Sequence, residues 1–279
     1  MRVVEYDPSR RADVADLMGR VWGRRPDEEE LAWFYERNPV RGASVLLAEE
    51  DGRTVGTTAL SFVPMAIGGE PVEVGMAVRL ATDPGYRGRG IFAGLVAEHE
   101  QVAQGLGIKL LLSVTNDAST PILVGKLGWS KLAPVRVWAR TKLLHTKVFA
   151  PSVARFESDP PLPATSGDRV VRDASWLNWR FVEGPGIYTR LIRDGYAVTG
   201  RWRGCGVVAA MVGDLFRDAV SSAGRPMVLA APPPSERWRY AAAGFAPTPK
   251  TFTVVGKSLD PSVAVPDRPH FELGDLDFL

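Results

Sequence analysis

The chain of 279 residues is short of the residues on which specialised scaffolds depend. A single cysteine, Cys205, excludes an internal disulfide framework and a cysteine-based zinc cluster. In the run RGCGV it reads as a small turn residue, since no histidine is spaced as its catalytic partner. The three histidines are scattered without metal-ligand spacing, so no metal is expected. A surplus of one charge is also missing. With 34 basic and 32 acidic residues the net charge is +2, too even for a surface dedicated to nucleic acid or a membrane, and any anion site must be local. No apolar run approaches the roughly 20 residues that span a bilayer, and MRVVEYDPSRR lacks the apolar core of a secretory signal. A cytoplasmic location is the expectation. What the chain does have is 45% hydrophobic content, enough to bury the core of one large domain or two smaller ones.

Periodicity places the elements. Asp7-Pro8 offers an N-cap and a first-turn proline, after which Val14, Leu17, Met18, Val21 and Trp22 recur at helical spacing until Gly23. Asp27 with Glu30 three residues later predicts a capping box opening a second helix that carries Leu31, Phe34 and Tyr35 inward and stops before Asn38-Pro39. SVLLAEEDGRTVGTTALSFVPMAI reads as two strands around Asp51-Gly52, and Gly68-Gly69 turns into a third, VEVGMAVRLAT. One face of that strand holds Glu73, Gly75, Ala77, Arg79 and Ala81, mostly small residues expected to leave a channel for a ligand. A helix from Ile91 to Gly107 and a buried strand KLLLSVTN follow.

Between that third strand and the helix lies TDPGYRGRGIFAGL, with four glycines and two arginines. A helix start presents unpaired N–H groups and a positive dipole end, and a loop without Cβ atoms lets the backbone close around phosphate oxygens. It is not a P-loop, for no Gly-Lys-Ser/Thr follows, and G-x-G-x-x-G is absent.

The order RLATDPGYRGRGIFAGL, KLLLSVTN, STPILVGKLGW resembles the GNAT superfamily of N-acetyltransferases over roughly residues 1 to 140. The resemblance implies an α/β (α+β) fold, a mixed and mostly antiparallel sheet flanked by helices, and acetyl-CoA or another short acyl-CoA as co-substrate. It implies that the pyrophosphate sits on Arg87, Gly88, Arg89, Gly90, Ile91 and Phe92. Phe92 stands where the family has a final glycine or alanine. It further implies pantetheine bonding at Leu80, Ala81 and Thr82, with Asn116 ending the next strand. Many members carry a tyrosine that protonates the leaving thiolate; the alignment puts Val124 there. Ser119 and Thr120 are the substitutes at hand, although capping of the following helix is their alternative role.

The second half echoes the first. LAWFYERNP at 31–39 reappears as LNWRFVEGP at 177–185, and KLGWSKLAPVRVWART pairs with AAGFAPTPKTFTVVGK. The offset falls from 146 residues at the tryptophans (179 minus 33) to 116 at the glycines (244 minus 128), so the second copy is shorter and lacks the Arg/Gly loop. The expected organisation is a GNAT domain over 1–145, a Pro/Ser-rich linker over 146–170 and a truncated GNAT-like half over 171–279.

Glu73, on the cofactor strand, is one candidate base; a solvated strand-end glutamate is its alternative. His99 reads as a packed core histidine. The tail HFELGDLDFL interleaves Asp275 and Asp277 with apolar residues that give it a reason to dock, and some GNAT relatives place a terminal carboxylate in the active site. The expected activity is transfer of an acetyl or short acyl group from CoA to an amine of a small-molecule acceptor, by direct attack in a ternary complex. A non-catalytic acyl-CoA-binding protein and a FemAB-like aminoacyl transferase are the alternatives, and a homodimer is left open.

Overall fold

A computed structural model describes residues 1–141, 148–161 and 167–276. The helices begin where the sequence caps them. After strand β1 (Arg2–Glu5), Asp7 Oδ1 accepts from the N–H of Ser9 at 2.9 Å, a 3-10 turn covers Pro8–Arg10, and α1 runs over Arg11–Trp22 to a left-handed Gly23. Asp27 caps α2 (Glu28–Glu36) by accepting from the N–H of Glu30 at 2.6 Å. The reciprocal half of the capping box is not used: Arg24 at 2.7 Å and Arg79 at 3.4 Å hold the Glu30 carboxylate instead.

The chain forms two compact units. The first comprises Met1–Met65, Pro71–Leu132 and Thr253–Asp267. Its strands are β1, β2 (Ser44–Glu50), β3 (Arg53–Ile67), β4 (Glu70–Thr82) and β5 (Leu110–Thr115), neighbours in that order, and then residues 253–258 of the last strand of the chain. A two-residue strand, β6 (Ser130–Lys131), pairs with that same segment. The β1–β2, β2–β3 and β5–253–258 pairs are antiparallel, and β4–β5 is parallel. α3 (Ile91–Gly105) joins β4 to β5, and α4 (Thr120–Leu127) follows β5. Leu60, Phe62, Ala77, Ile108, Leu111, Leu123 and Trp129 form one buried cluster between sheet and helices.

The second unit comprises Ala66–Glu70, Ala133–Phe252 and Arg268–Leu279. Its elements are β7 (Val135–Thr141), β8 (Arg169–Val170), α5 (Ala174–Asn178) continued as a π-helical turn over Trp179–Glu183, β9 (Thr189–Arg193), β10 (Gly195–Trp202), β11 (Cys205–Val212), α6 (Phe216–Ser222), β12 (Met227–Ala230), α7 (Arg237–Ala242) and β13 (Ala246–Ser258). The sheet order is β9, β10, β11, β12, β7 and then the first half of β13. As in the first unit, the strand before and the strand after the crossover helix are parallel. Trp33 sits, buried, in α2 just before β2, and Trp179 sits, buried, in the π-helical turn just before β9. The link between β11 and α6 is only residues 213–215, against 83–90 between β4 and α3, and α6 has 7 residues against 15 in α3.

This division differs from the boundaries expected at 145 and 171. β7, which follows α4, pairs with β12 in the second unit, and residues 253–258, which follow α7, pair with β5 in the first. The first unit takes its closing strand from beyond the second, and an alternating sequence pattern reveals a strand but not its partner. Among the described residues no helix is long and apolar enough to cross a membrane.

Candidate functional site

The parallel pair is where the first unit opens. β4 and β5 are bonded at Val74↔Leu110, Gly75↔Leu111 and Met76↔Leu112, and no pairing continues past Met76. Ser113 Oγ, donating to the carbonyl of Ala77 at 2.7 Å, is the last link. Two residues later Arg79 takes a left-handed φ of 50°, which costs a non-glycine residue about 1–2 kcal/mol. That conformation is held by the neighbours of its side chain: the guanidinium stacks 4.3 Å from the Phe34 ring centroid and lies 3.4 Å from Glu30. Beyond this break Leu80, Ala81 and Thr82 are free of β5.

The glycine loop is anchored at its first residue. Asp83 is buried, with Arg20 of α1 at 2.7 Å and Arg53 of β3 at 3.0 Å, while its Oδ1 accepts from the N–H of Gly85 at 3.0 Å. Burial alone would raise its pKa; the Arg20 hydrogen bond, the Gly85 N–H and the two cations outweigh it and hold the carboxyl below its ordinary value. The chain then passes Gly88 (φ 79°) and Gly90 (φ 80°), both left-handed, and Gly90 N-caps α3 without a side-chain hydrogen bond. A Cβ at either glycine would meet nothing within 4 Å, so backbone conformation rather than crowding requires glycine there. The first intrahelical bond at this end runs from Gly94 N–H to the carbonyl of Gly90, which leaves the N–H groups of Ile91, Phe92 and Ala93 for an external acceptor.

These pieces enclose a cleft of about 500 Å³. It brings together Leu80, Ala81, Thr82, Arg87, Gly88, Gly90, Ile91, Phe92, Asn116 and Ser119, all expected site residues. It adds Val21 and Trp22 from the end of α1, Tyr86 and Lys126, none of them among the expected site residues. The available signal was Trp22 itself, an aromatic at a helix end that remains 48% exposed. Among the described residues, Arg87 and Lys126 are the cations of the lining, and no carboxylate joins them.

Other expected residues lie elsewhere. Arg89 is outside the lining; it pairs with Glu50 at 3.1 Å and stacks on the Tyr86 ring, because Gly90 turns the chain before the helix begins. The face of β4 expected to be a channel is filled: a Cβ on Gly75 would lie 2.7 Å from Leu111 Cδ2, and Ala77 belongs to the buried cluster. Glu73, on that strand before the paired segment, forms an ion pair with Arg41 at 2.8 Å and does not line the cleft. Asn116 lines the cleft but spends its Oδ1 on the N–H groups of Ala118 and Ser119, both at 3.0 Å, while its carbonyl accepts from Thr120 N–H. Since Pro121 has no N–H, the start of α4 has few donors left for a leaving thiolate. The Ser119 hydroxyl sits 3.2 Å from Asn116 Oδ1, and Val124 packs against the buried cluster. His99 is buried with Nε2 2.9 Å from Ser44 Oγ, and burial pushes its pKa down to about 4.

The tail is docked within the second unit. Phe271, Leu273 and Leu276 are buried, and Asp275 is held by Arg172 through both carboxylate oxygens, at 2.9 and 2.5 Å, rather than standing free as a base. Asp277 lies outside the described residues.

A sheet whose parallel pair parts beside a glycine loop at a helix start, within an otherwise mostly antiparallel α/β sheet, is the architecture of the GNAT fold. Solved structures share it: a GCN5-related N-acetyltransferase from Kribbella flavida (15% identity, TM-score 0.68, covering 96% of this chain and 73% of that one), another from Anabaena variabilis ATCC 29413 (12%, 0.64, 93% and 73%), and a tandem GNAT protein from the clavulanic acid biosynthesis pathway (14%, 0.59, 93% and 99%). At such identities the likeness is one of fold. No curated protein matches the sequence. Residues 3–131 match the family model described as acetyltransferase (GNAT) domain, so that stretch of the chain is a GNAT domain.

Proposed function

We propose that the protein moves an acetyl or similar short acyl group from acyl-CoA to an amine of a small-molecule acceptor, by direct attack in a ternary complex. The observation that carries this reading is the cleft at the parting of β4 and β5, floored by the unpaired N–H groups at the start of α3. A pyrophosphate on those groups meets a positive dipole end, the Arg87 charge and backbone that only glycine shapes in this way. CoA is the acyl donor in this family. The pantetheine arm then runs back along β4 past Leu80–Thr82, whose backbone is released from β5 to bond to it.

The amine attacks the thioester carbonyl, the new C–N bond forms, the C–S bond breaks, and the amine proton passes to a base. We carry Glu73 forward as that base, acting through water, and Ser119 as a hydroxyl near the departing sulfur. With valine at 124, no tyrosine protonates the thiolate; a thiol of pKa about 8.5 leaves tolerably without one near neutral pH.

The test is a screen of amines, amino acids and aminoglycosides with acetyl-CoA, reading the release of free CoA thiol. Turnover with an amine is expected. Tight acyl-CoA binding with no release for any acceptor would replace this reading with a non-catalytic acyl-CoA-binding protein.

A further inference from the structure

A second recess lies wholly within the second unit and has a volume of about 370 Å³. That is within the range of about 300–1,000 Å³ usual for small-molecule sites. Its walls come from four segments: the start of β7 with Arg136 and Trp138, the loop before α7 with Arg237, Pro247 of β13, and the run Arg268–Phe271. Three arginines converge there, and among the described residues no carboxylate is part of the lining. None of the three forms an ion pair with another described residue. Two donors of the lining, the indole Nε1 of Trp138 and Nε of Arg237, are buried without an acceptor among the described residues. Buried donors are normally paired.

The electrostatics agree with the inventory. His270 lines the recess and is held neutral, its pKa pushed down to about 3, first by burial and then by the Arg172 charge; Arg237 and Arg169 add to this and Asp275 opposes it. An adjoining recess of about 190 Å³ shares Pro234, Arg268 and His270 and adds Arg169. Its carboxylate, Asp168, accepts from the N–H of Gly68 at 2.8 Å. Five prolines and Phe271 supply the remaining wall, a stiff apolar surface that loses little entropy when it is covered.

We propose that this recess binds a small phosphomonoester with an apolar body. Its phosphoryl group is taken by Arg136, Arg237 and Arg268 with the Trp138 N–H, and its body lies on the prolines and Phe271. Three uncompensated guanidinium groups suit a group carrying about −1.5 to −2 charge better than a single carboxylate, and their planar forks match phosphoryl oxygens. The near-neutral net charge and the size of the recess favour a small ligand over a nucleic acid. The site is independent of the acyl-CoA cleft.

The test is calorimetric titration of the full chain with phenyl phosphate, beside inorganic phosphate and benzoate. Phenyl phosphate is expected to saturate well below about 10 mM and to bind about tenfold tighter than either comparison. Arg136 and Arg268 are exposed, so Arg136→Gln and Arg268→Gln leave the fold intact, and each should weaken phenyl phosphate by about tenfold. Gly90→Val, which alters the acyl-CoA loop, should leave it unchanged. Failure to saturate, tighter benzoate binding, undiminished affinity in the Arg136→Gln/Arg268→Gln double variant, or loss of binding in Gly90→Val would each overturn the assignment.

Discussion

Arg20 of α1 reaches the carboxylate of Asp83 at 2.7 Å, and this contact fixes the residue from which the glycine loop leaves β4. The loop therefore depends on a helix more than sixty residues away in sequence. Asp83→Asn is expected to weaken CoA binding and lower the melting temperature together, at a cost of up to about 3 kcal/mol, because Arg20 is left facing a neutral group. Arg53→Gln should do less, since Arg53 is the more exposed partner. As the folded-state pKa of Asp83 is depressed, its contribution is present above the unfolded value and is lost as pH falls through the depressed one. Melting curves at pH 7 and pH 3 should accordingly diverge less in Asp83→Asn than in the wild type. Unchanged CoA affinity in that variant would show that Asp83 does not shape the cleft.

Gly88 and Gly90 offer a cleaner separation of loop from fold. Their left-handed backbone with empty surroundings means that a side chain meets no clash yet is strained. Gly90→Ala is expected to lose about tenfold in CoA affinity, from the 1–2 kcal/mol that a left-handed conformation costs. Gly88→Pro and Gly90→Val should abolish measurable binding, since proline cannot reach positive φ and a β-branched residue resists it. Gly94 is the control: exposed in the first turns of α3, with no positive φ and no neighbour for its Cβ, it should accept alanine with full binding and a gain of about 0.5–1 kcal/mol. Calorimetry on the three positions decides this, and equal affinity across them would remove the pyrophosphate from the loop.

The sequence exposes some of this architecture and hides the rest for physical reasons. Asp7, Asp27, Gly23 and Gly128 announce helix ends because a cap is a local hydrogen bond or a local φ, and each takes the role its type suggests. The run from Arg87 to Phe92 is legible for the same reason. The break in β4 is not, because it depends on Arg79 accepting a left-handed φ against Phe34 and Glu30, contacts that span more than forty residues. The channel expected beside Gly75 fails similarly: small residues show room on a strand but not whether Leu111 already fills it. The return of residues 253–258 to β5 of the first unit is invisible to any pattern that reads one segment at a time.

Proton transfer supplies a third expectation. Glu73→Gln should leave the CoA dissociation constant unchanged while lowering kcat/KM for the amine by about 100-fold, the lower end of what a positioned base contributes. Ser119→Ala should cost less than about tenfold, since its hydroxyl is already shared with Asn116 and is only one of the groups near the sulfur. Steady-state kinetics with saturating acetyl-CoA read both. Wild-type kcat/KM in Glu73→Gln would leave its ion pair with Arg41 as a surface contact and send the search for the base elsewhere.

The tail separates stability from catalysis only if it is cut at the right place. Removing residues 271–276 would strip three buried apolar side chains, worth at most about 1.5–3 kcal/mol each, and would take the carboxylates of Glu272 and Asp275 away from the buried Arg172. Arg180, which donates to the carbonyls of Gly274 and Leu276, would lose those acceptors as well. Truncation after Leu276 keeps those contacts and tests Asp277 as the base: it should lower kcat while leaving the CoA dissociation constant unchanged. The network itself predicts a pH signature. One guanidinium faces two buried carboxylates, so burial keeps a proton on Glu272, whose pKa is pushed up to about 8 against the Arg172 charge. Below the ordinary histidine value, near 6.5, the buried neutral His99 and His270 make stability rise with pH; from there to about 8 the folded chain holds a proton on Glu272 that the unfolded chain does not, so stability should fall as pH rises through this upper window and level off above it. Glu272→Gln, which keeps a side-chain oxygen for the Met211 N–H and removes the surplus charge, should flatten that slope. A wild-type melting temperature that is constant from pH 7 to 8 would mean that both carboxylates are ionised beside Arg172.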